Sequence, residues 1–261
     1  MKKKITAPVI ENKKIAEGIY DMTLDAPEIA EQAGAGQFVS LFCGDKSRLL
    51  PRPISLCGID AEKGTIRLVY RVTGKQTGTA QIAERKAGDS IEVMGPLGNG
   101  FPLELAEGKK VFLIGGGIGI PPMLETARAL SDKAQVESVL GWRNAETFLR
   151  AEFEPYGTVT AATEDGSVGT RGNVLDAIRE NGLTADLIFA CGPRPMLRAL
   201  KAYAEENGIP CYLSMEERMA CGIGACLACV CETEEVDSHS HVKNKRVCKD
   251  GPVFEAGEVK V

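Results

Sequence analysis

Cys221-Gly-Ile-Gly-Ala-Cys226-Leu-Ala-Cys229-Val-Cys231, with Cys248 further on, is the stretch on which the reading of this chain turns. Its spacing is C-x4-C-x2-C plus a remote fourth cysteine, the pattern of plant-type [2Fe–2S] sites. Two bridged irons need four thiolates, and a tight glycine-containing loop lets three of them converge from one side. Gly222, Gly224, Ala225 and Ala228 keep Cβ atoms out of the way, so backbone N–H groups can point at the sulfurs. The expected metal ligands are Cys221, Cys226, Cys229 and Cys248. Structural zinc also takes four cysteines, but usually as two C-x2–4-C knuckles, and Cys248 has no close sequence partner. Disulfides fit less well, because Cys226, Cys229 and Cys231 crowd into one short run. Cys231 is expected to be a buried neighbour, since the frame is complete without it.

The composition bounds what such a site can serve. At 261 residues, the chain has room for two or three small domains. Its net charge of −5 argues against nucleic acid as a partner. No run of eighteen apolar residues exists, so no membrane span is expected. Met1-Lys-Lys-Lys4 is not followed by an apolar signal core, because Glu11, Lys13 and Lys14 interrupt it. An odd, clustered set of cysteines suits a reducing compartment, and the cytoplasm is the expected location. His239 and His241, the two histidines, stand in a polar stretch. They read as an exposed loop between ligands, with a Rieske-type role as the alternative.

Outward from the cysteines, two patterns divide the chain. As far as about Leu103, short alternating segments broken by Gly and Pro predict strands at Gly18–Leu24, Gln37–Phe42, Ile54–Ile59, Thr65–Val72 and Ser90–Met94. That spacing suggests a small antiparallel β-barrel. From Lys109 the period changes to strands alternating with helices, which predicts a parallel α/β sheet. The expected strands are Lys110–Ile114, Gln135–Leu140, Thr158–Ala162, Leu187–Ala190 and Cys211–Ser214, with helices at Pro122–Leu130, Asn173–Glu180 and Pro195–Glu206. The expected domains are thus residues 1–103, 104–214 and 215–261, an α+β multidomain chain that ends in a small cluster domain.

Three further motifs carry chemistry. Arg52-Pro53-Ile54-Ser55 can place a guanidinium against a phosphate and a hydroxyl near a flavin edge; a Pro-braced edge strand with a surface Arg is the bland alternative. Val69-Tyr70-Arg71 adds an aromatic face, or else ordinary barrel packing, and Gly78-Thr79 opens an expected helix at Thr79–Glu84 whose bare N–H groups suit a phosphate. Gly115-Gly116-Gly117-Ile118-Gly119 follows a buried strand and precedes a helix, the setting for a pyrophosphate, although it departs from strict G-x-G-x-x-G. Cys191-Gly192-Pro193-Arg194-Pro195-Met196 lies at a strand's carboxyl end, where Cys191 is either close to a nicotinamide or simply a small buried thiol. Trp142-Arg143 is a further possible contact. No acidic residue marks the strand end that would separate NAD from NADP.

Taken in order, these motifs resemble the ferredoxin–NADP reductase superfamily and, within it, the electron-transfer subunits of class 1B dihydroorotate dehydrogenases. The likeness covers nearly the whole chain. It implies that Arg52, Pro53, Ile54, Ser55, Val69, Tyr70, Arg71, Gly78 and Thr79 bind FAD, that NAD is the nicotinamide cofactor, and that the four cysteines bind [2Fe–2S]. It also implies an FMN-containing catalytic subunit as partner, with two copies of each chain, and a relay from FMN through the cluster and FAD to NAD+. The loop Thr73-Gly-Lys-Gln-Thr-Gly-Thr79 is longer than the Gly-Lys-Gly-Thr turn such relatives carry. The runner-up is the small flavin subunit of an NADH-dependent ferredoxin:NADP oxidoreductase or a sulfide dehydrogenase. A colourless zinc interaction module is the rival from another class. No side chain is expected to act as a catalytic acid or base, because hydride transfer between nicotinamide and flavin requires none.

Overall fold

A computed structural model describes residues 2–44, 47–236 and 241–261. The chain forms two compact units. One comprises Met1–Gly100, Glu216–Val230 and Arg246–Pro252; the other comprises Phe101–Met215, Cys231–Lys245 and Val253–Val261. The C-terminal segment expected to stand as its own domain is therefore shared between the two. His239 lies outside the described residues, and His241 is exposed.

The first unit is built on a closed antiparallel barrel. Its strands are β1 (Lys3–Ala16), β2 (Ile19–Asp25), β3 (Phe38–Phe42), β4 (Arg52–Asp60), β5 (Thr65–Arg71) and β6 (Ser90–Leu97), ordered β1-β2-β5-β4-β3-β6. Two short helices sit in the connections, α1 (Pro27–Ala30) and α2 (Gly78–Ala83). The long β1 was not among the expected strands. Its alternation of Ile5, Ala7 and Val9 is broken by lysines and by Pro8. Even so, its first half pairs with β6 and its second half with β2, which closes the barrel. Val39, Leu41, Leu56, Leu68 and Val93 are wholly buried inside, each contributing about 1.5–3 kcal/mol of burial.

The second unit is a seven-stranded sheet. Its parallel strands are β7 (Lys110–Gly116), β8 (Gln135–Trp142), β9 (Thr158–Thr163), β10 (Thr170–Arg171), β11 (Leu187–Cys191) and β12 (Cys211–Ser214). The helices are α3 (Ile120–Leu130), α4 (Arg150–Phe153), α5 (Val174–Glu180) and α6 (Arg194–Asn207). The chain end supplies β13 (Val230–Glu232) and β14 (Asn244–Arg246), which pair with each other. It also supplies β15 (Val253–Glu255), which joins β12 antiparallel. Sheet order is β10-β9-β8-β7-β11-β12-β15, so successive strands run away from β7 on one side and return beside it on the other. The gap between β7 and β11 is the topological switch point, where open α/β sheets bind ligands.

Candidate functional site

The cysteine loop belongs to the first unit and is organised by its backbone. Ile223 and Ala225 donate their N–H groups to Cys221 Sγ at 3.5 and 3.3 Å, and Gly224 donates to Cys248 Sγ at 3.1 Å. Cys248 N–H donates to Cys229 Sγ at 3.4 Å. Positive φ at Gly222 and Gly224, +67° and +84°, turns these amides toward the sulfurs. Cys226 stands close enough to Cys221, and Cys229 to Cys248, to bear on the other thiol's charge, which gives two thiol pairs.

Charge follows the donors. Burial pushes the Cys221 thiol up, but the amides of Ile223, Cys226 and Ala225 and the Cys226 side chain outweigh it, leaving a pKa of about 6. Cys248 is pushed up to about 12 by burial and by the adjoining Cys229. Among the described residues, no group of three or more His, Cys, Asp or Glu gathers around a point suited to a single ion. A two-iron centre asks for two thiolates per iron, which is what two thiol pairs offer, so the donor set fits. Cys231 is buried on β13 and falls in the other unit.

The arm carrying Cys248 is clasped at both ends. Arg246 Nε and Nη2 donate to Asp250 at 2.8 and 3.1 Å, and burial of that carboxyl is outweighed by the guanidinium, which holds it below its ordinary range. Asn99 then ties the arm to the end of β6, its N–H donating to Gly251 O at 2.6 Å and its side-chain amide to Asp250 O at 3.1 Å.

Strand alternation sorts the second set of expected residues. Ile54 packs against the barrel core and Tyr70 lies within it, whereas Pro53, Ser55, Val69 and Arg71 take the opposite parity, on the outer face of β4 and β5. The ring of Tyr70 is 1% exposed, so the aromatic face expected of it is enclosed by the barrel. Its hydroxyl donates to Asn12 Oδ1 at 3.0 Å, and the Asn12 amide donates to Ile82 O and Arg85 O at 3.1 and 2.9 Å. Tyr70 thereby anchors the end of α2, and burial holds its phenol well above the usual range.

Helix α2 begins one residue earlier than expected, because Thr77 caps it and accepts from Ala80 N–H at 3.3 Å. Thr79 turns inward, where its hydroxyl accepts from Thr73 N–H at 3.3 Å and fixes the long loop. Gly78 is covered by the Arg52 guanidinium, which also donates to Leu50 O at 2.8 Å.

In the second unit, the sheet brings the two remaining motifs together. Cys191 pairs with Gly115 across β11 and β7. A Cβ on Gly116 would stand 2.6 Å from Met196 Sδ, and one on Gly119 would stand 2.3 Å from Cys191 O. A Cβ on Gly192 would likewise stand 2.4 Å from Met196 Cε, and the one on Gly116 3.1 Å from Pro193 Cδ. These glycines let two protein loops interlock, so part of the room expected for a pyrophosphate is filled by the chain itself. Gly117 adopts φ +54°, which turns the chain into α3. The helix starts at Ile120, ahead of the expected Pro122, since Pro121 and Pro122 suit its first turn. Cys191 is 1% exposed, and Trp142 is buried at the end of β8.

Known proteins align with this arrangement. Residues 216–260 match the family model for the iron-sulfur cluster binding domain of dihydroorotate dehydrogenase B, and residues 113–202 match the oxidoreductase NAD-binding domain. The chain is 46% identical over 255 residues to the dihydroorotate dehydrogenase B (NAD+) electron transfer subunit of Geobacillus thermodenitrificans, covering 96% of each chain. It is 47% identical to the subunit of the same name from Bacillus caldolyticus, again over 96% of each. Among solved structures, an NADH-dependent reduced ferredoxin-NADP oxidoreductase superposes with a TM-score of 0.84 at 30% identity, covering 97% of this chain and 89% of that one. A ferredoxin NADP+ reductase from Neisseria gonorrhoeae shares the fold, with a TM-score of 0.68 at 17% identity over 79% of this chain and 92% of that one.

Proposed function

The chain belongs to the family of dihydroorotate dehydrogenase B (NAD+) electron transfer subunits, and from that premise we propose that it relays electrons between a separate catalytic subunit and NAD+ through a [2Fe–2S] centre and FAD. The observation that carries the reading is the convergence of backbone N–H donors on the sulfurs of Cys221, Cys229 and Cys248.

A bound flavin supplies the conversion between the electron pairs of nicotinamide and the single electrons of iron–sulfur. The chain's own residues do the rest. Arg52, braced over Gly78, presents a guanidinium to the FAD phosphates, and Pro53, Ser55 and Arg71 offer the outer barrel face to the isoalloxazine and ribityl parts. Ile54, Tyr70 and Thr79 act from behind, holding that face and α2 in place. Gly115, Gly116, Gly117 and Gly119, with Cys191, Gly192, Pro193 and Met196, border the β7–β11 switch point and take NAD there. In the cysteine loop, the amides of Ile223, Gly224 and Ala225 offset negative charge on the thiolates.

The catalytic partner holds FMN and oxidises dihydroorotate, in an assembly of two copies of each chain. Ile223 and Leu227, 47% and 61% exposed, flank the exposed Cys226 and give the partner an apolar seat on the cluster loop. We place the assembly in the cytoplasm, because cluster thiolates need a reducing compartment. Among the described residues, no helix is long and apolar enough to cross a membrane. The ferredoxin:NADP alternative shares the fold, and the higher identity to dihydroorotate dehydrogenase subunits favours the dihydroorotate reading.

The test uses the purified chain alone. NADH should reduce an artificial acceptor, while dihydroorotate should not be oxidised until the FMN subunit is added. Turnover of dihydroorotate by the lone chain would contradict the division of labour.

A further inference from the structure

Ser40 is a polar residue in a place that strand geometry reserves for apolar ones. Its neighbours Val39 and Leu41 both point into the barrel core, so Ser40 on β3 points outward. It is nevertheless 0% exposed, because the cysteine loop covers it. A Cβ on Gly222 would stand 3.3 Å from Ser40 Oγ and 3.2 Å from Met94 Cε and Leu97 Cδ1. Ser40 Oγ has no hydrogen-bond partner among the described residues. A buried hydroxyl left in that condition is costly, and retaining one implies an acceptor that belongs to the function.

The position narrows the acceptor. Gly222 follows Cys221 directly, and on the other side Ser40 pairs across the sheet with Pro53, on the same outer face as the expected flavin contacts. The loop's own amides approach Cys221 from the chain side. Ser40 approaches from the barrel wall, on β3 between β4 and β6. A two-iron centre held by Cys221 would offer thiolate sulfur and sulfide as acceptors on this side of the loop.

Resting on the iron–sulfur reading above, we infer that Ser40 is a positioning residue whose O–H donates to the cluster from the barrel side and raises its reduction potential. Hydrogen bonds to cluster sulfur stabilise the more negative, reduced state. The residue touches no substrate, and it sets how readily the centre accepts an electron.

The experiment is a potentiometric titration of the cluster's EPR signal in anaerobically purified wild type, Ser40→Ala and Ser40→Thr, with exchangeable-proton couplings recorded in deuterated buffer. Ser40→Ala should shift the midpoint negative by about a tenfold change in the electron equilibrium, about 59 mV for a one-electron couple, and should lose one exchangeable coupling. Ser40→Thr keeps the hydroxyl and should stay near wild type. If Ser40→Ala loads no iron while Ser40→Thr loads normally, the hydroxyl requirement stands. If both fail to load, Ser40 serves packing alone and the inference is wrong. An unchanged midpoint in Ser40→Ala overturns it, as does a shift confined to the flavin. A wild-type chain without the EPR signal would instead defeat the iron–sulfur reading itself.

Discussion

The guanidinium of Arg52 lies across the backbone of Gly78, so that a methyl group on that glycine would come within 2.4 Å of Nε and 2.7 Å of Cζ. Two motifs far apart in sequence are thereby one structure. The glycine lets the guanidinium lie against the backbone, and any side chain there would push it aside. Gly78→Ala should displace the guanidinium and weaken FAD binding at least tenfold, about 1.4 kcal/mol, with the fold retained. Fluorescence titration of the flavin-free chain with FAD, alongside circular dichroism, reads both.

Tyr70 is tied to α2 through its hydroxyl and Asn12, and its ring is enclosed by the barrel. Tyr70→Phe removes the hydroxyl that donates to Asn12 and leaves a half-buried amide oxygen short of a donor. The expected cost is about 1–2 kcal/mol of stability, visible as a lower denaturant midpoint. FAD affinity should change far less than in Gly78→Ala. A flavin spectrum that is altered while stability is unaffected would restore the aromatic-face role.

Gly119 is pinned by backbone and not by a flexible side chain. A methyl there would stand 2.3 Å from Cys191 O and 2.6 Å from Gly192 N, so neither loop can yield without moving its strand end. Gly119→Ala should cost about 1–3 kcal/mol and raise the KM for NADH together with it. Gly208, which has open space around it at the end of α6, serves as the control, and Gly208→Ala should leave the KM for NADH unchanged.

Cys226 and Cys231 test the thiol pairing from opposite sides. Cys226→Ser should lose iron, or retain it with a changed visible and EPR spectrum, because Cys221 would lack its thiol partner. Cys231→Ser should keep the full iron and sulfide content. Iron and acid-labile sulfide assays on both variants decide the matter, and loss of the centre in Cys231→Ser would require a different ligand set.

Periodicity carries the sequence reading wherever one face of a strand is buried, which is why β2 to β6 and β7, β8, β9, β11 and β12 stand close to the alternating and apolar runs, whereas the two-residue β10 is too short to give such a signal. It fails at β1, where Lys3 takes the same parity as Ile5, Ala7 and Val9 and Pro8 stands among them on the opposite face, so the alternation is short and interrupted. It also failed to divide motif residues between faces. Ile54 and Tyr70 were grouped with their neighbours because a motif is read along the chain, whereas the barrel separates odd from even positions. Alternation applied within the motifs would have found this. The shared C-terminal segment had no such signal: β15 is a three-residue strand whose place depends on pairing with β12, across about forty residues of chain. Nor could sequence reveal that Gly116 and Gly119 are filled by Met196 and Cys191, since that contact arises only when β7 and β11 become neighbours.

The relay itself is tested most directly by an anaerobic titration of the purified chain with NADH, followed by visible absorption and EPR together. Bleaching of the flavin accompanied by the signal of a reduced two-iron centre is the result expected if nicotinamide, flavin and cluster lie on one path. A flavin that bleaches while the iron stays oxidised, at potentials where dithionite reduces it, would contradict that path.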